Sequence, residues 1–379
     1  MTRKNTSFDV LVIGHHPASY LLAAMLKSND ARLGVVHVTP PGNTPADRIV
    51  LINPAWFDLS PLLAPLRRKL VTHGTYGMTF LGDTPEQHSE FRSKSTIVCT
   101  ADLSDVRAAM VNVARSVDVH LLKPDALTIN TVDETGAGFR ADAFLSHAKA
   151  VVVTDLPAVH ERRVLGIADA SWERGVLRRY SFVRYPRTTD PDTLRPLLTM
   201  SLDLKGKLGW AWMIPHGREV QLAVEQSVEP GATTDATALM RQWVDVLQAH
   251  HALPPGLKMD RARVESVDLP AAGALTTEGV ADRTLVIGPA GGFFSATLED
   301  LYPNSWSAVF AADVLCKALK ERHLQDALQS FQHTWRTTLG DYLLGPQQNL
   351  RYLLPLVYRN AVMTSRLAES ILLGKNMIR

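Results

Sequence analysis

The part of the sequence that most constrains the fold begins at Phe8. The run 8–13 is short, apolar and rich in β-branched residues, which is typical of a buried strand, and it ends at Gly14. A helix is predicted from Pro17 to Lys27, because proline loses no hydrogen bond in a first helical turn. The run 33–38 has the pattern of a second strand. Strand, tight turn, helix and strand in this order predict a βαβ unit and a parallel sheet.

The rest of the chain alternates between two kinds of structure. Runs 150–154 and 284–288 resemble the first strand, whereas residues 176–228 contain alternating segments that predict an antiparallel sheet. Residues 39–95 read as mainly loop because they contain many prolines, and helical patterns fill most of the chain after residue 305. We therefore expect an α/β fold in which a Rossmann-like domain is interleaved with an α+β, antiparallel-sheet substrate domain, followed by a helical C-terminus.

The expected boundaries follow from these patterns. We assign residues 1–60, 96–165 and 276–330 to the Rossmann-like domain, 61–95 and 166–275 to the antiparallel-sheet domain, and 331–379 to the C-terminal helical segment.

Composition excludes several classes of function. The chain has 40 Lys and Arg against 38 Asp and Glu, so its charge gives no reason to expect a nucleic-acid partner. The two cysteines, Cys99 and Cys316, exclude a disulfide scaffold and suit a reducing compartment. No histidine or cysteine pattern predicts a metal site. No stretch is apolar for long enough to span a membrane, and we expect a cytoplasmic protein.

The turn after the first strand resembles part of a dinucleotide fingerprint. Such a fingerprint needs three glycines, and here Gly14 is present whereas His16 and Ser19 occupy the other two positions. Thr39 stands where a carboxylate for the ribose is expected. The helix can still bind an anion through its free N–H groups. The turn is therefore either a nucleotide site or a βαβ unit that serves only packing.

A second motif indicates which nucleotide. Residues 210–215, Trp-Ala-Trp-Met-Ile-Pro, fit the Trp-x-Trp-x-Ile-Pro signature of flavin-dependent halogenases. Over about residues 8–315 the chain resembles the superfamily of FAD-dependent halogenases, geranylgeranyl reductases and aromatic hydroxylases. The segment 151–163 is similar to the family's strand–Ala-Asp-Gly–Arg-Arg segment at Asp155, Arg162 and Arg163, and 284–294 is similar to its strand–Gly-Asp-Ala-Ala-Gly-Phe segment.

This resemblance implies a set of site residues. The FAD-binding positions would be Gly14, Pro17, Ala18, Ser19, Thr39, Asp155, Gly288, Gly291 and Gly292. The catalytic positions would be Trp212 and Glu299, and the substrate cavity would be lined by Trp210, Ile214 and Pro215. The two tryptophans also have a plain interpretation, because alternate residues of a strand share a face and can simply cover the sheet.

The sequence also departs from the family. Pro289 replaces the carboxylate that binds the ribityl chain, and Thr75 replaces the lysine that halogenases use. Loss of the ribose carboxylate, the ribityl carboxylate and one pyrophosphate contact would cost roughly 3–5 kcal/mol, or about two to four orders of magnitude in FAD affinity.

The departures leave two hypotheses. One is a divergent FAD-dependent oxidoreductase, with FAD bound weakly or not at all, acting on a small or apolar organic substrate. The other is a non-catalytic protein of the same fold that binds a ligand or a partner.

Two further expectations concern the surface. Arg178 and Arg179 are expected on a solvated face, with an acidic substrate as the alternative partner. The C-terminal helical run 349–373 carries basic residues among apolar ones. It is expected to pack over the domain, with peripheral contact to a membrane surface as the alternative.

Overall fold

The computed structural model describes residues 6–42, 46–155, 163–167, 177–186, 197–204, 207–229, 235–253, 263–270, 279–293, 301–321, 324–344 and 350–375. The strands are β1 (Thr6–Ile13), β2 (Val35–Val38), β3 (Ile49–Ile52), β4 (His73–Thr75), β5 (Gly77–Leu81), β6 (His88–Arg92), β7 (Val98–Asp102), β8 (His120–Leu122), β9 (Leu127–Val132), β10 (Ala137–Ala141), β11 (Phe144–Val153), β12 (Leu177–Pro186), β13 (Leu198–Leu204), β14 (Lys207–His216), β15 (Glu219–Val228), β16 (Glu265–Pro270), β17 (Val280–Ala281) and β18 (Thr284–Val286).

The helices are α1 (Pro17–Asn29), α2 (Leu66–Lys69), α3 (Leu103–Ser116), α4 (Ala236–Ala249), α5 (Leu301–Ala318), α6 (Leu324–Leu344), α7 (Leu350–Val357) and α8 (Ala361–Leu373). Short 3₁₀ helices cover Pro54–Asp58 and Gly288–Gly291.

The first sheet contains the predicted βαβ unit. Its order is β17-β18-β11-β1-β2-β8, and β10 and β9 extend it as an antiparallel hairpin from β11. Strands β18, β11, β1, β2 and β8 are parallel. Val10, Leu11 and Val12 are fully buried, because apolar residues of α1 and α5 cover one face and the hairpin covers the other. The carboxyl ends of β1, β11 and β18 therefore meet at one edge, the edge where open α/β sheets bind ligands.

The second sheet is the predicted antiparallel one. Its order is β16-β12-β15-β14-β13-β5-β6, with β13 and β5 as its parallel pair. Helix α4 covers one face, where Trp243 is fully buried and donates a hydrogen bond to the Trp212 carbonyl oxygen at 2.9 Å. The other face carries the side chains of Trp212 and Ile214. The alternation of residues along β14 thus separates the two cores of this sheet.

A third sheet, β3-β7-β4, lies between the other two and is antiparallel. Gln221 of β15 accepts from the Ile49 amide at 2.8 Å, and Thr100 of β7 contacts the Pro215 carbonyl oxygen at 3.2 Å. Residues 39–95 are rich in loops, as expected, but they also contain the strands β3 to β6, which were not predicted. These strands are short, and β3 and β4 pair with β7 rather than with the next strand along the chain, so local periodicity does not reveal them.

The C-terminal run is two helices rather than the expected one. The first helix, α7, ends at Val357, and Asn360 caps α8, where its side chain accepts from the Val362 amide at 2.9 Å. Leu354 and Val357 of α7 and Leu367 and Ile371 of α8 are buried against the Trp212 face of the second sheet. Among the helices of the described ranges, none has a stretch apolar and long enough to cross a membrane.

Candidate functional site

The two glycine turns converge at the carboxyl edge of the parallel sheet. Gly14 has φ +156°, and a Cβ there would lie 1.8 Å from Thr154 Oγ1, so the position requires glycine. Gly288 has φ +61°, and a Cβ there would lie 3.7 Å from Ala18 Cβ. Ala18 and Ser19 are fully buried, and their small side chains let α1 approach the sheet. The structure thus brings together residues that are more than 270 positions apart in the sequence.

Asp155 lies directly on the start of α1. Its Oδ2 accepts hydrogen bonds from the backbone N–H of His15 and from that of His16, the latter at 3.3 Å. The Ala18 N–H donates to His16 Nδ1 at 3.2 Å, and the Ser19 N–H donates to the His16 carbonyl oxygen at 2.9 Å. Pro17 has no N–H. The backbone donors of residues 15–19, which would bind an anion, are therefore engaged within the chain.

Two basic side chains, Arg107 and Lys123, act on this turn. Arg107 of α3 donates from Nε to the His15 carbonyl oxygen at 2.8 Å. Burial lowers the pKa of His15, Asp155 raises it, and the charges of Arg107 and Lys123 lower it again. Arg107 was not predicted as a site residue. Its role depends on which face of α3 points to the turn, which the sequence alone does not specify.

The end of β2 is held by a buried aromatic pair. Thr39 Oγ1 lies 3.0 Å from Tyr20 Oη, and the Tyr20 ring stacks on His37 with ring centroids 4.0 Å apart. His37 Nε2 lies 2.8 Å from Ser19 Oγ. Complete burial lowers the pKa of His37 to about 3, and burial raises the pKa of Tyr20. Thr39, the predicted ribose position, is thus tied to α1 through side chains that the sequence pattern did not single out.

The second turn is folded onto the first. Ala290 N–H donates to the Thr154 carbonyl oxygen, and the Gly288 N–H donates to Ser307 Oγ of α5, both at 2.9 Å. Gly292 has φ +71° and ends the 3₁₀ helix, within which Gly291 also lies. Pro289 is buried and offers neither an N–H nor a carboxylate. The predicted catalytic residue Glu299, like Arg162, lies outside the described residues.

Trp210, Trp212 and Ile214 share one face of β14, whereas strand alternation places Pro215, also predicted to line the substrate cavity, on the other face. Trp212 and Ile214 are fully buried, Trp210 is partly buried, and Pro215 pairs with Val220 of β15. The Trp212 indole N–H has no acceptor among the described residues. The side chains that contact this face include apolar residues of α7 and α8, so these helices and the tryptophan strand form one core.

A buried ion pair lies on the same face. Arg178 Nε donates to Glu225 Oε1 at 2.7 Å, and both side chains are about 7% exposed. Burial raises the pKa of Glu225, whereas Arg178 acts to lower it. The expectation that Arg178 lies on a solvated face was wrong. In β12 it points to the same side as Tyr180 and Phe182, and the strand alternation carries it into the core.

Comparison with known proteins relates this geometry to a fold. No family model and no curated protein matches the chain. A geranylgeranyl bacteriochlorophyll reductase-like protein from Thermoplasma acidophilum matches with a TM-score of 0.68 at 14% identity, covering 95% of this chain and 87% of that one. The monooxygenase PqsL of Pseudomonas aeruginosa, solved with 2-aminobenzoylacetate, matches with a TM-score of 0.63 at 17% identity, covering 95% and 100%.

A variant of the halogenase PltM solved with FAD matches with a TM-score of 0.63 at 12% identity, covering 95% of this chain and 78% of that one. The chain therefore has the Rossmann-like fold of these flavoproteins. The resemblance drawn from the Trp-x-Trp-x-Ile-Pro motif is confirmed at the level of this fold. Within the described ranges, no group of three His, Cys, Asp or Glu side chains could hold a metal ion.

Proposed function

We propose that the protein is an FAD-dependent oxidoreductase that binds FAD weakly and acts on a small or apolar organic substrate. The observation that carries this proposal is the meeting of the Gly14 and Gly288 turns at the carboxyl edge of the parallel sheet, beside Arg107 and Lys123. In a chain with the flavoprotein fold, this edge is the position for a nucleotide. Two cations beside it suit a diphosphate.

The fit of FAD depends on Asp155. A diphosphate would need the N–H groups of His15 and His16, and the Asp155 carboxylate already accepts hydrogen bonds from both. FAD therefore fits this turn only after Asp155 has moved away. Arg107 and Lys123 would then hold the diphosphate, and the Thr39 hydroxyl would serve the ribose. When bound, the flavin would supply the redox chemistry, and the chain would supply position and polarity.

The residues around the site favour reduction or oxygenation over halogenation. Thr75, at the position of the halogenase lysine, is fully buried and donates from Oγ1 to the Val98 carbonyl oxygen at 3.1 Å. It carries no amine that could bind a halogen intermediate. Apart from the buried Arg178–Glu225 pair, the sheet face with Trp212 and Ile214 is mainly apolar, which suits an apolar substrate. Cys99 and Cys316 are free thiols, and we propose a cytoplasmic location.

The second candidate is a non-catalytic protein that binds a ligand or partner. It is favoured by one specific observation, namely that the donors of the α1 turn are satisfied within the chain. The cover that α7 and α8 provide for the Trp212 face also supports it.

An FAD titration of the purified protein distinguishes the two candidates. The oxidoreductase should take up FAD with a saturable change in flavin absorbance and fluorescence, and Arg107→Ala should weaken this binding. Arg241→Ala is the control, because Arg241 is an exposed arginine of α4, a helix that packs on the second sheet. Saturable uptake that Arg107→Ala does not weaken would contradict the role given to Arg107. Protein that takes up no FAD but is thermally stabilised by an apolar ligand would support the second candidate.

A further inference from the structure

We propose that the Asp155 carboxylate is an internal competitor for the anion site at the start of α1. A nucleotide phosphate and Asp155 would then occupy this site alternately. The inference rests on the proposed function only where it names FAD as the natural ligand. The competition itself follows from the geometry of the turn.

The topology places Asp155 at this position. Strand β11 runs parallel to β1 with Val153 opposite Ile13, so the residues that follow each strand lie side by side. Thr154 Oγ1 contacts the Ile13 carbonyl oxygen at 3.3 Å, which fixes the exit of β11 against the turn. Asp155 then points its Oδ2 to the His15 and His16 N–H groups.

The site suits both of its proposed occupants, the Asp155 carboxylate and a nucleotide phosphate, because both are anions. A helix N-terminus carries partial positive charge, and charge-assisted hydrogen bonds from backbone N–H groups are stronger than neutral ones. The nearby Arg107 guanidinium and Lys123 ammonium add to this charge. A phosphate would be held by the same donors, and it would repel the Asp155 carboxylate at close range. One anion therefore excludes the other.

Nucleotide binding to charge-neutralised variants tests the competition. Asp155→Asn keeps the shape of the side chain and removes its charge, and Asp155→Ala removes both. The matched control is Asp9→Asn, because Asp9 lies on β1, the strand that pairs with β11, and its Oδ2 likewise accepts from a backbone N–H, that of Gly34 at 2.7 Å. Calorimetric titration uses ADP, FAD and riboflavin, and circular dichroism confirms that each variant is folded.

We expect Asp155→Asn and Asp155→Ala to bind ADP and FAD at least tenfold more tightly than the unmodified protein, a gain of about 1.4 kcal/mol. Riboflavin affinity should not change, since riboflavin has no phosphate, and Asp9→Asn should match the unmodified protein. Equal or weaker ADP binding in both Asp155 variants would overturn the inference, and so would an absence of ADP binding in every protein.

The outcomes separate this inference from the proposed function. If the Asp155 variants gain ADP affinity but no protein takes up FAD or riboflavin, the competition stands and the flavin hypothesis fails. If the unmodified protein binds FAD and the Asp155 variants bind it equally well, the flavin hypothesis stands and the competition fails.

Discussion

His37 packs beneath the turn at the start of α1. Its burial makes the free energy of unfolding depend on pH. It is completely buried, packs on the Tyr20 ring and holds Ser19 at the start of α1. Burial lowers its pKa from 6.5 to about 3 in the folded protein. Protonation therefore favours the unfolded chain. The stability that neutral His37 contributes is fully present above pH 6.5 and is lost as the pH falls toward 3.

The magnitude follows from these two pKa values. Each unit of difference is worth about 1.4 kcal/mol, so the complete loss would be roughly 5 kcal/mol. At pH 5, which is 1.5 units below the unfolded value, the loss is about 2 kcal/mol. His37→Gln removes the titrating group and keeps a polar side chain.

Urea unfolding at pH 8 and pH 5 measures this effect as a difference between proteins. Between these pH values the unmodified protein should lose about 2 kcal/mol more free energy of unfolding than His37→Gln. His88→Gln is the matched control, because His88 is exposed on β6, and it should behave like the unmodified protein. If His37→Gln loses as much free energy of unfolding between pH 8 and pH 5 as the unmodified protein, burial does not keep His37 neutral in the folded protein.

Three further predictions concern the core around the tryptophan strand, and urea unfolding measures each. Arg178→Met should lower the free energy of unfolding by about 3–5 kcal/mol, because it leaves Glu225 buried without its cation. The double change Arg178→Met with Glu225→Leu should lower it by less, and an equal loss in both proteins would contradict this. If α8 belongs to the core, Leu367→Ala should lower the free energy of unfolding by about 2–5 kcal/mol. Val362→Ala, at an exposed position of the same helix, should lower it by at most about 0.5 kcal/mol. Trp212→Ala should cost about 3–5 kcal/mol, and a loss below 1 kcal/mol would refute its complete burial.

Much of the fold could be predicted because its patterns are local. The strand that ends at Gly14, the helix that begins at Pro17 and the alternation around Trp212 each depend on neighbouring residues, and the structure has each of them. The strands of residues 39–95 were missed because each is only three to five residues long and the segment contains many prolines, and because β3 and β4 pair with β7 rather than with the next strand. The break at Asn360 was missed because the apolar pattern continues on both sides of it.

The candidate site could be predicted only in part for a similar reason. The motifs named the glycines and Asp155, but they did not show that the Asp155 carboxylate would accept the N–H bonds of the turn. That contact depends on the register between β11 and β1. Arg107 and His37 were missed because single residues of these types on a helix and a strand carry no signal until the fold brings them to the turn.

A titration of the purified protein with FAD is the decisive measurement for the proposed flavin site. We expect saturable but weak binding by the unmodified protein, tighter binding by Asp155→Asn and weaker binding by Arg107→Ala. Absence of FAD binding in the unmodified protein and in Asp155→Asn alike, with both correctly folded, would contradict it.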